Sequence, residues 1–258
     1  MLRADCRHDA RLLPSPNFGD RRDGCRPDLL LLHYTGMASA ALAIEWLRRP
    51  ESRVSSHYVI DEHGCITQLV AEAKRAWHAG VGSWHGVRDI NSCSIGIEIH
   101  NPGHDRGYPD FPEAQMRSVE TLSRDIIERW EMRPERVLAH SDIAPRRKID
   151  PGEKFDWQRL HRAGIGHWVA PASPDRGDCG LGPGTEDPSV AEAQLLLARY
   201  GYQIAQTGTL DAETCTVLTA FQRHFRPARV DGRLDRATLA TLSNLLAALT
   251  TPGSCVKP

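Results

Sequence analysis

The chain has 258 residues, more than one compact domain usually needs, so an enzyme-sized unit with a small companion is expected. Its 40% hydrophobic and 25% charged residues match an ordinary globular chain and exclude a disordered one, and a net charge of −1 excludes the field that steers proteins to nucleic acid or anionic lipid. The longest apolar runs, such as Leu29 to Leu32, are far too short to span a bilayer, so no integral membrane segment is expected.

Residues 1–27 read as a polar, weakly ordered arm in which arginines alternate with aspartates, with no apolar core of a secretory signal. The seven cysteines contain no C-x-x-C pair and are odd in number, which argues for a reducing compartment and a cytoplasmic protein; Cys6 and Cys25 are the one pair weighed as a bridge. Leu29 to Tyr34 is a short apolar run ending in His33-Tyr34, the pattern of a buried strand. Ala40 to Arg48 has helical composition, and Ser56 to Asp61 and Cys65 to Val70 flank a Glu62-His63-Gly64 turn as a hairpin. Ser92 to His100 alternates Cys93, Ile95, Ile97 and Ile99 with polar residues and glycine, so Glu98 faces away from the isoleucines. Met116, Val119, Leu122, Ile126 and Trp130 give Glu113 to Met132 one apolar helical face. Val137 to His140 is a further strand, and Asp156 opens a closing helix to Arg162. Interleaved strands and helices predict an α/β domain over residues 28–168, a mixed central sheet flanked by helices.

Residues 169–188, with four prolines and four glycines, read as a linker to a small helical domain at 189–249, followed by a 250–258 tail. Within that domain Gly208-Thr209-Leu210-Asp211 with Thr214 is echoed by Gly232-Arg233-Leu234-Asp235 with Thr238, a duplicated turn and helix in which Asp211 and Asp235 are helix caps.

Of the twelve histidines, His33 and His140 each end an apolar strand, and Asp150 follows in Arg147-Lys148-Ile149-Asp150-Pro151. Two imidazoles and one carboxylate are the ligand set of a catalytic zinc, which keeps one tetrahedral position open; strand-end histidines that only bond their neighbours are the competing reading. His100 and His104 have the spacing of a helical zinc pair, but Asn101-Pro102-Gly103 between them breaks any helix, and His63, His161 and His167 are expected at the surface.

Five pieces in order, Leu32-His33-Tyr34-Thr35-Gly36, Ser55-Ser56-His57-Tyr58-Val59-Ile60-Asp61, Ala76-Trp77-His78-Ala79-Gly80, Ser94-Ile95-Gly96-Ile97-Glu98, and Ala139-His140-Ser141-Asp142-Ile143 through to Asp150-Pro151-Gly152, resemble the N-acetylmuramoyl-L-alanine amidase family of the AmpD and AmiD type. The resemblance covers residues 28 to 168 and implies a peptidoglycan-recognition-protein-like fold. It implies zinc on His33, His140 and Asp150, catalysis by Glu98 with help from Lys148, and a substrate groove including Tyr34, Trp77 and His78. The implied reaction is hydrolysis of the amide between N-acetylmuramic acid and L-alanine in peptidoglycan or muropeptides. Glu98 would move the proton and Lys148 offset charge on the oxyanion. The chain departs from the peptidoglycan-recognition and phage relatives at Ser56, where they often carry tyrosine, so no tyrosine assists there; His57 is expected to pack behind the site rather than ligate.

Residues 189–249 resemble the three-helix peptidoglycan-binding domain attached to wall hydrolases, through Ala193-Gln194-Leu195-Leu196, Gly201-Tyr202, Ala220-Phe221-Gln222 and Val230-Asp231-Gly232. This pairing, with Tyr34-Thr35, favours the two-domain AmiD-like branch, and the second domain is expected to hold the enzyme at the wall without taking part in chemistry. A wall-associated or periplasmic location is therefore the alternative to the cytoplasm, and a non-catalytic recognition protein the alternative to an amidase. No partner beyond the peptidoglycan substrate is implied, and a monomer suffices.

Overall fold

The computed structural model describes residues 4–250, so Cys255 and all but the first residue of the expected tail lie outside the described residues. The apolar run forms β3 (Leu29–Tyr34), which sits between two parallel neighbours. Six strands make a mixed sheet ordered β1-β5-β4-β7-β3-β8, built from β1 (Ala10–Leu12), β4 (Tyr58–Ile60), β5 (Ile66–Gln68), β7 (Ser94–Ile99) and β8 (Val137–Ala139) as well as β3. Only β4 and β5, the expected hairpin, run antiparallel; the other pairs are parallel. A second, two-stranded sheet pairs β2 (Phe18–Asp20) with β6 (Lys74–Ala76).

Residues read as a weakly ordered arm are thus part of the fold. The β1 strand extends the main sheet, β2 pairs with β6, and the Arg21 guanidinium donates to the carbonyls of Glu72, Ser92 and Ser94. The arm is polar because its strands lie at a sheet edge and its arginine bonds main-chain oxygens, neither of which leaves an apolar signature. Cys6 is buried and Cys25 exposed, and all six described cysteines are unpaired.

The period of two gives the sheet two distinct faces. Leu30, Leu32, Ile95, Ile97 and Ile99 turn to one side, where α3 (Glu113–Trp130) covers them with Met116, Val119, Leu122 and Ile126, and α5 (Trp157–Arg162) closes the layer. Asp156 caps α5 by accepting from Arg159 N. Leu29, Leu31 and Leu138 turn to the other side and join one continuous core with Trp84, Ile90 of α2 (Ile90–Cys93), and the carboxy-terminal helices α6 (Pro188–Tyr200), α7 (Ala212–Phe225) and α8 (Arg236–Thr250).

The three helices therefore do not hang from a free tether. Tyr200, Tyr202 and Phe225 are buried with the wholly enclosed Trp84, and a Cβ on Gly201 would stand 2.5 Å from the Trp84 ring, so the backbone itself is pressed against the indole. Residues read as linker run along the module: Leu181 bridges Leu234, Glu186 bridges Thr209, and Ala172 N donates to Thr241 Oγ1. The duplication is physical as well. Asp211 and Asp235 accept from Thr214 N and Thr238 N, each at 2.7 Å. Gln194 accepts from Gly208 N and Gln222 from Gly232 N, both at 2.8 Å, so a buried glutamine on one helix holds the turn that starts the next.

Candidate metal centre and active site

Parallel register sets His33 directly opposite Glu98, and β8 ends at Ala139 so that His140 begins the short α4 (His140–Ile143) beside them. All three residues thus stand at the carboxyl ends of parallel strands, where open α/β sheets place their ligands. The loop after α4 returns Asp150, and Ser141 N donates to Asp150 O at 3.0 Å. His33 Nδ1 lies 2.8 Å from His140 Nδ1 and 3.3 Å from Asp150 Oδ2, and His140 Nδ1 lies 3.0 Å from the same oxygen. All three side chains are buried.

The surrounding bonds fix the ring protons. Ser94 Oγ–H donates to Ile90 O, so it accepts from His78 Nε2–H at 3.2 Å; His78 Nδ1 is then free to accept from His33 Nε2–H at 3.0 Å. His140 Nε2–H donates to Ala79 O at 2.9 Å. Both Nδ1 atoms are left as bare lone pairs facing each other and a carboxylate oxygen. Such an arrangement is repulsive unless a cation sits among the three atoms. Atoms about 2.0–2.1 Å from a tetrahedral zinc are separated by roughly 3.3 Å, close to the spacing found, so the donor set fits the ion.

Behind these residues His57 is fully engaged: Nδ1 accepts from Gly96 N, Nε2 donates to Lys74 O, and burial pushes it down to about 3. It packs, as its position predicts, and cannot ligate. Gly96 has a steric reason to be glycine, because a Cβ there would lie 2.5 Å from His78 Nδ1.

Glu98 is half-buried, with Oε2 enclosed and without a hydrogen-bond partner. Burial, reinforced by Asp150 and opposed by Lys148, pushes its carboxyl up to about 8. It shares a cleft of about 230 Å³ with Lys148, Tyr34, Trp77, His78, His140 and Asp150. Met37, Ala43, Trp46, Leu47 and Val54 also line that cleft and were not singled out from sequence; Trp46 and Val54 are exposed apolar residues that the core does not use. A larger cavity of about 740 Å³ lies at the seam with α7, lined by Arg22, Arg75, Arg88, Arg146 and Arg147, and contains none of the metal-binding candidates.

The remaining histidines divide differently from expectation at one place. His63 and His161 are exposed, and His104 sits in a turn stacked on Tyr108 with Tyr34 Oη at 3.1 Å, as loop residues should. His167, expected at the surface, is half-buried with Nδ1 3.0 Å from Tyr200 Oη, because the docked helices cover it. Among the described residues no helix is long and apolar enough to cross a membrane.

Residues 23–153 match the family described as N-acetylmuramoyl-L-alanine amidase, and residues 186–242 match a peptidoglycan binding domain family. The chain is 38% identical over 234 residues to the N-acetylmuramoyl-L-alanine amidase AmiD of Escherichia coli, covering 86% of this chain and 83% of that one. The E. coli 1,6-anhydro-N-acetylmuramyl-L-alanine amidase AmpD is 35% identical over 58% of this chain and 90% of its own. Among solved structures, E. coli AmiD in complex with the substrate anhydro-N-acetylmuramic acid-L-Ala-D-gamma-Glu-L-Lys has a TM-score of 0.73 at 35% identity, over 90% of this chain and 98% of that one. AmpDh3 of Pseudomonas aeruginosa, in complex with anhydromuramic pentapeptide, has a TM-score of 0.74 at 34% identity, over 96% and 99%. The mixed sheet, the converging His-His-Asp set and this match over both halves agree: the chain belongs to the N-acetylmuramoyl-L-alanine amidase family.

Proposed function

We propose that this amidase is zinc-dependent, with the ion held by His33, His140 and Asp150, and that it hydrolyses the N-acetylmuramic acid to L-alanine amide of muropeptides, including those with an anhydro sugar. The observation that carries the reading is the pair of opposed Nδ1 lone pairs beside Asp150 Oδ2, each ring held by a bond from its other nitrogen. Zinc in such a site would supply Lewis acidity, lowering the pKa of water to about 7 and polarising a carbonyl. Glu98, whose enclosed Oε2 has no hydrogen-bond partner, takes the proton from the attacking water, the charge of the adjacent ion offsetting the burial that raises its carboxyl, and returns it to the leaving L-alanine nitrogen. Lys148 makes no side-chain hydrogen bond or ion pair among the described residues and is therefore available to the oxyanion. Tyr34, Trp77 and His78 form the groove wall, with His78 also fixing His33. The anhydro-muramyl ligands of the AmiD and AmpDh3 structures support the substrate class. The non-catalytic alternative is disfavoured, since the ligand set and the carboxylate are all present.

Metal analysis together with mass spectrometry of products from an anhydro-muramyl tripeptide tests the reading. One zinc per chain and release of free tripeptide are expected. A metal-free preparation that releases tripeptide at the full rate, or products cut elsewhere, would refute it.

A further inference from the structure

The turn that carries His140 is held from the far side by the carboxy-terminal module. Asp142, two residues beyond His140 in α4, has a completely enclosed carboxylate. Its Oδ2 accepts from Ala139 N at 2.8 Å, closing the turn from which His140 projects. Its remaining donors come from the module: Tyr202 Oη–H to Oδ1 at 2.6 Å and His224 Nδ1–H to Oδ2 at 2.7 Å. His224 in turn is clamped, its ring stacked 3.7 Å from Trp157 and 3.8 Å from Phe225. The same turn receives the second ligand loop, through Ser141 N to Asp150 O.

The reason for this wiring lies in the sheet. His33 and Glu98 occupy the same face as Leu29 and Leu31, and the module covers that face up to the edge of the site. Near that edge a carboxylate needs donors, because an enclosed charge left unpaired is strongly destabilising. Among the described residues only the module supplies them beyond Ala139.

We infer that Tyr202 and His224 are positioning residues of the metal centre: through Asp142 they fix the turn that presents His140 and receives Asp150, so the carboxy-terminal module is part of the scaffold of the site. This rests on the reading that His33, His140 and Asp150 hold the zinc. It leaves binding of the wall by the module's outer surface untouched.

The test is equilibrium zinc affinity of the full chain, measured by competition with a chromophoric chelator well below the unfolding temperature, with the visible spectrum of the cobalt-substituted protein as a report on ligand geometry. Tyr202→Phe and His224→Leu should each weaken zinc by about tenfold, the lower end of the range for partners that orient metal ligands, and alter the cobalt bands. His224→Asn, which restores a donor near the Nδ1 position, should recover most of the loss. Phe221→Leu, a buried change in the module core, should lower the melting temperature without moving either readout. Wild-type zinc affinity in both Tyr202→Phe and His224→Leu would overturn the inference, as would an equal loss in Phe221→Leu. If instead the parent chain binds no zinc, or His140→Ala binds it unchanged, the metal reading itself falls.

Discussion

Replacing Gly96 with alanine should loosen the metal centre from behind the sheet. The new Cβ would stand 2.5 Å from His78 Nδ1 and 2.6 Å from its Cγ, whereas carbon contacts settle at about 3.5–4.0 Å, so the ring must retreat by about 1 Å. It cannot do so without stretching its bonds to His33 Nε2 on one side and Ser94 Oγ on the other. Two hydrogen bonds at about 0.5–1.5 kcal/mol each put the loss of stability at about 1–3 kcal/mol, and a chain of this size loses about 2–4 °C in Tm per kcal/mol. The larger effect falls on the metal: a ligating histidine deprived of its orienting partner typically loses 10–100-fold in affinity. Chelator competition on the purified protein measures this, with Gly19→Ala as control, since a Cβ at Gly19 meets nothing within 4 Å. Unchanged zinc affinity in Gly96→Ala would refute the relay from strand through His78 to His33.

His140→Ala should abolish stoichiometric zinc and turnover together, read by metal analysis and a product assay; zinc retained at one per chain would place the ion elsewhere. Glu98→Gln should keep the metal and lower kcat by about 10²–10⁴-fold, while Tm holds or rises because a carboxyl whose charge burial disfavours is replaced by a neutral amide of the same shape; a lower Tm with normal kcat would contradict both halves. Burial depresses His57 to about 3 and His167 to about 4, so between the unfolded value near 6.5 and those limits the unfolded chain binds the extra protons. Stability of the chelated protein should therefore fall as pH drops from 6.5 toward 4, each group contributing up to about 1.4 kcal/mol per pH unit; a flat denaturant midpoint across that window would show that these rings protonate in the native state. Truncation near Pro174 exposes the sheet face around Trp84, Leu138 and Ile143, and is expected to yield a protein that melts far lower or aggregates; an unaltered Tm would mean that the seam adds nothing to the catalytic unit.

Periodicity made the isoleucine face of β7 and the apolar face of α3 legible from sequence, and with them the direction of Glu98, because alternation and three-four spacing are direct records of one-sided burial. His33, His140 and Asp150 were legible through order of motifs, not spacing, since 107 residues separate the two histidines that stand 2.8 Å apart. The tautomer relay through His78, Ser94 and Ile90 was not legible: it depends on which serine of several lies behind a ring, a matter of register rather than composition. The same holds for Arg21, whose charge reads as surface in sequence but is spent on three carbonyls.

The role of the carboxy-terminal helices shows most plainly where sequence reading stops. Proline and glycine at 169–188 mark irregular backbone, and irregular backbone suggests a tether, yet the same residues suit a strap that must turn often while staying in contact. What decides between the two is the second face of β3. Four consecutive buried leucines say that both faces are covered, but α3 and α5 account for only one. Within residues 28–168 no second long amphipathic helix is available for Leu29 and Leu31, so their partner has to come from beyond the strap, and Trp84, Tyr202 and Phe225 meet there. A count of sheet faces against helices would therefore have exposed the docking before any coordinate did. The placement of the module against the catalytic sheet is thus fixed by this shared core, with Tyr202 and Phe225 on Trp84, and not by the strap alone.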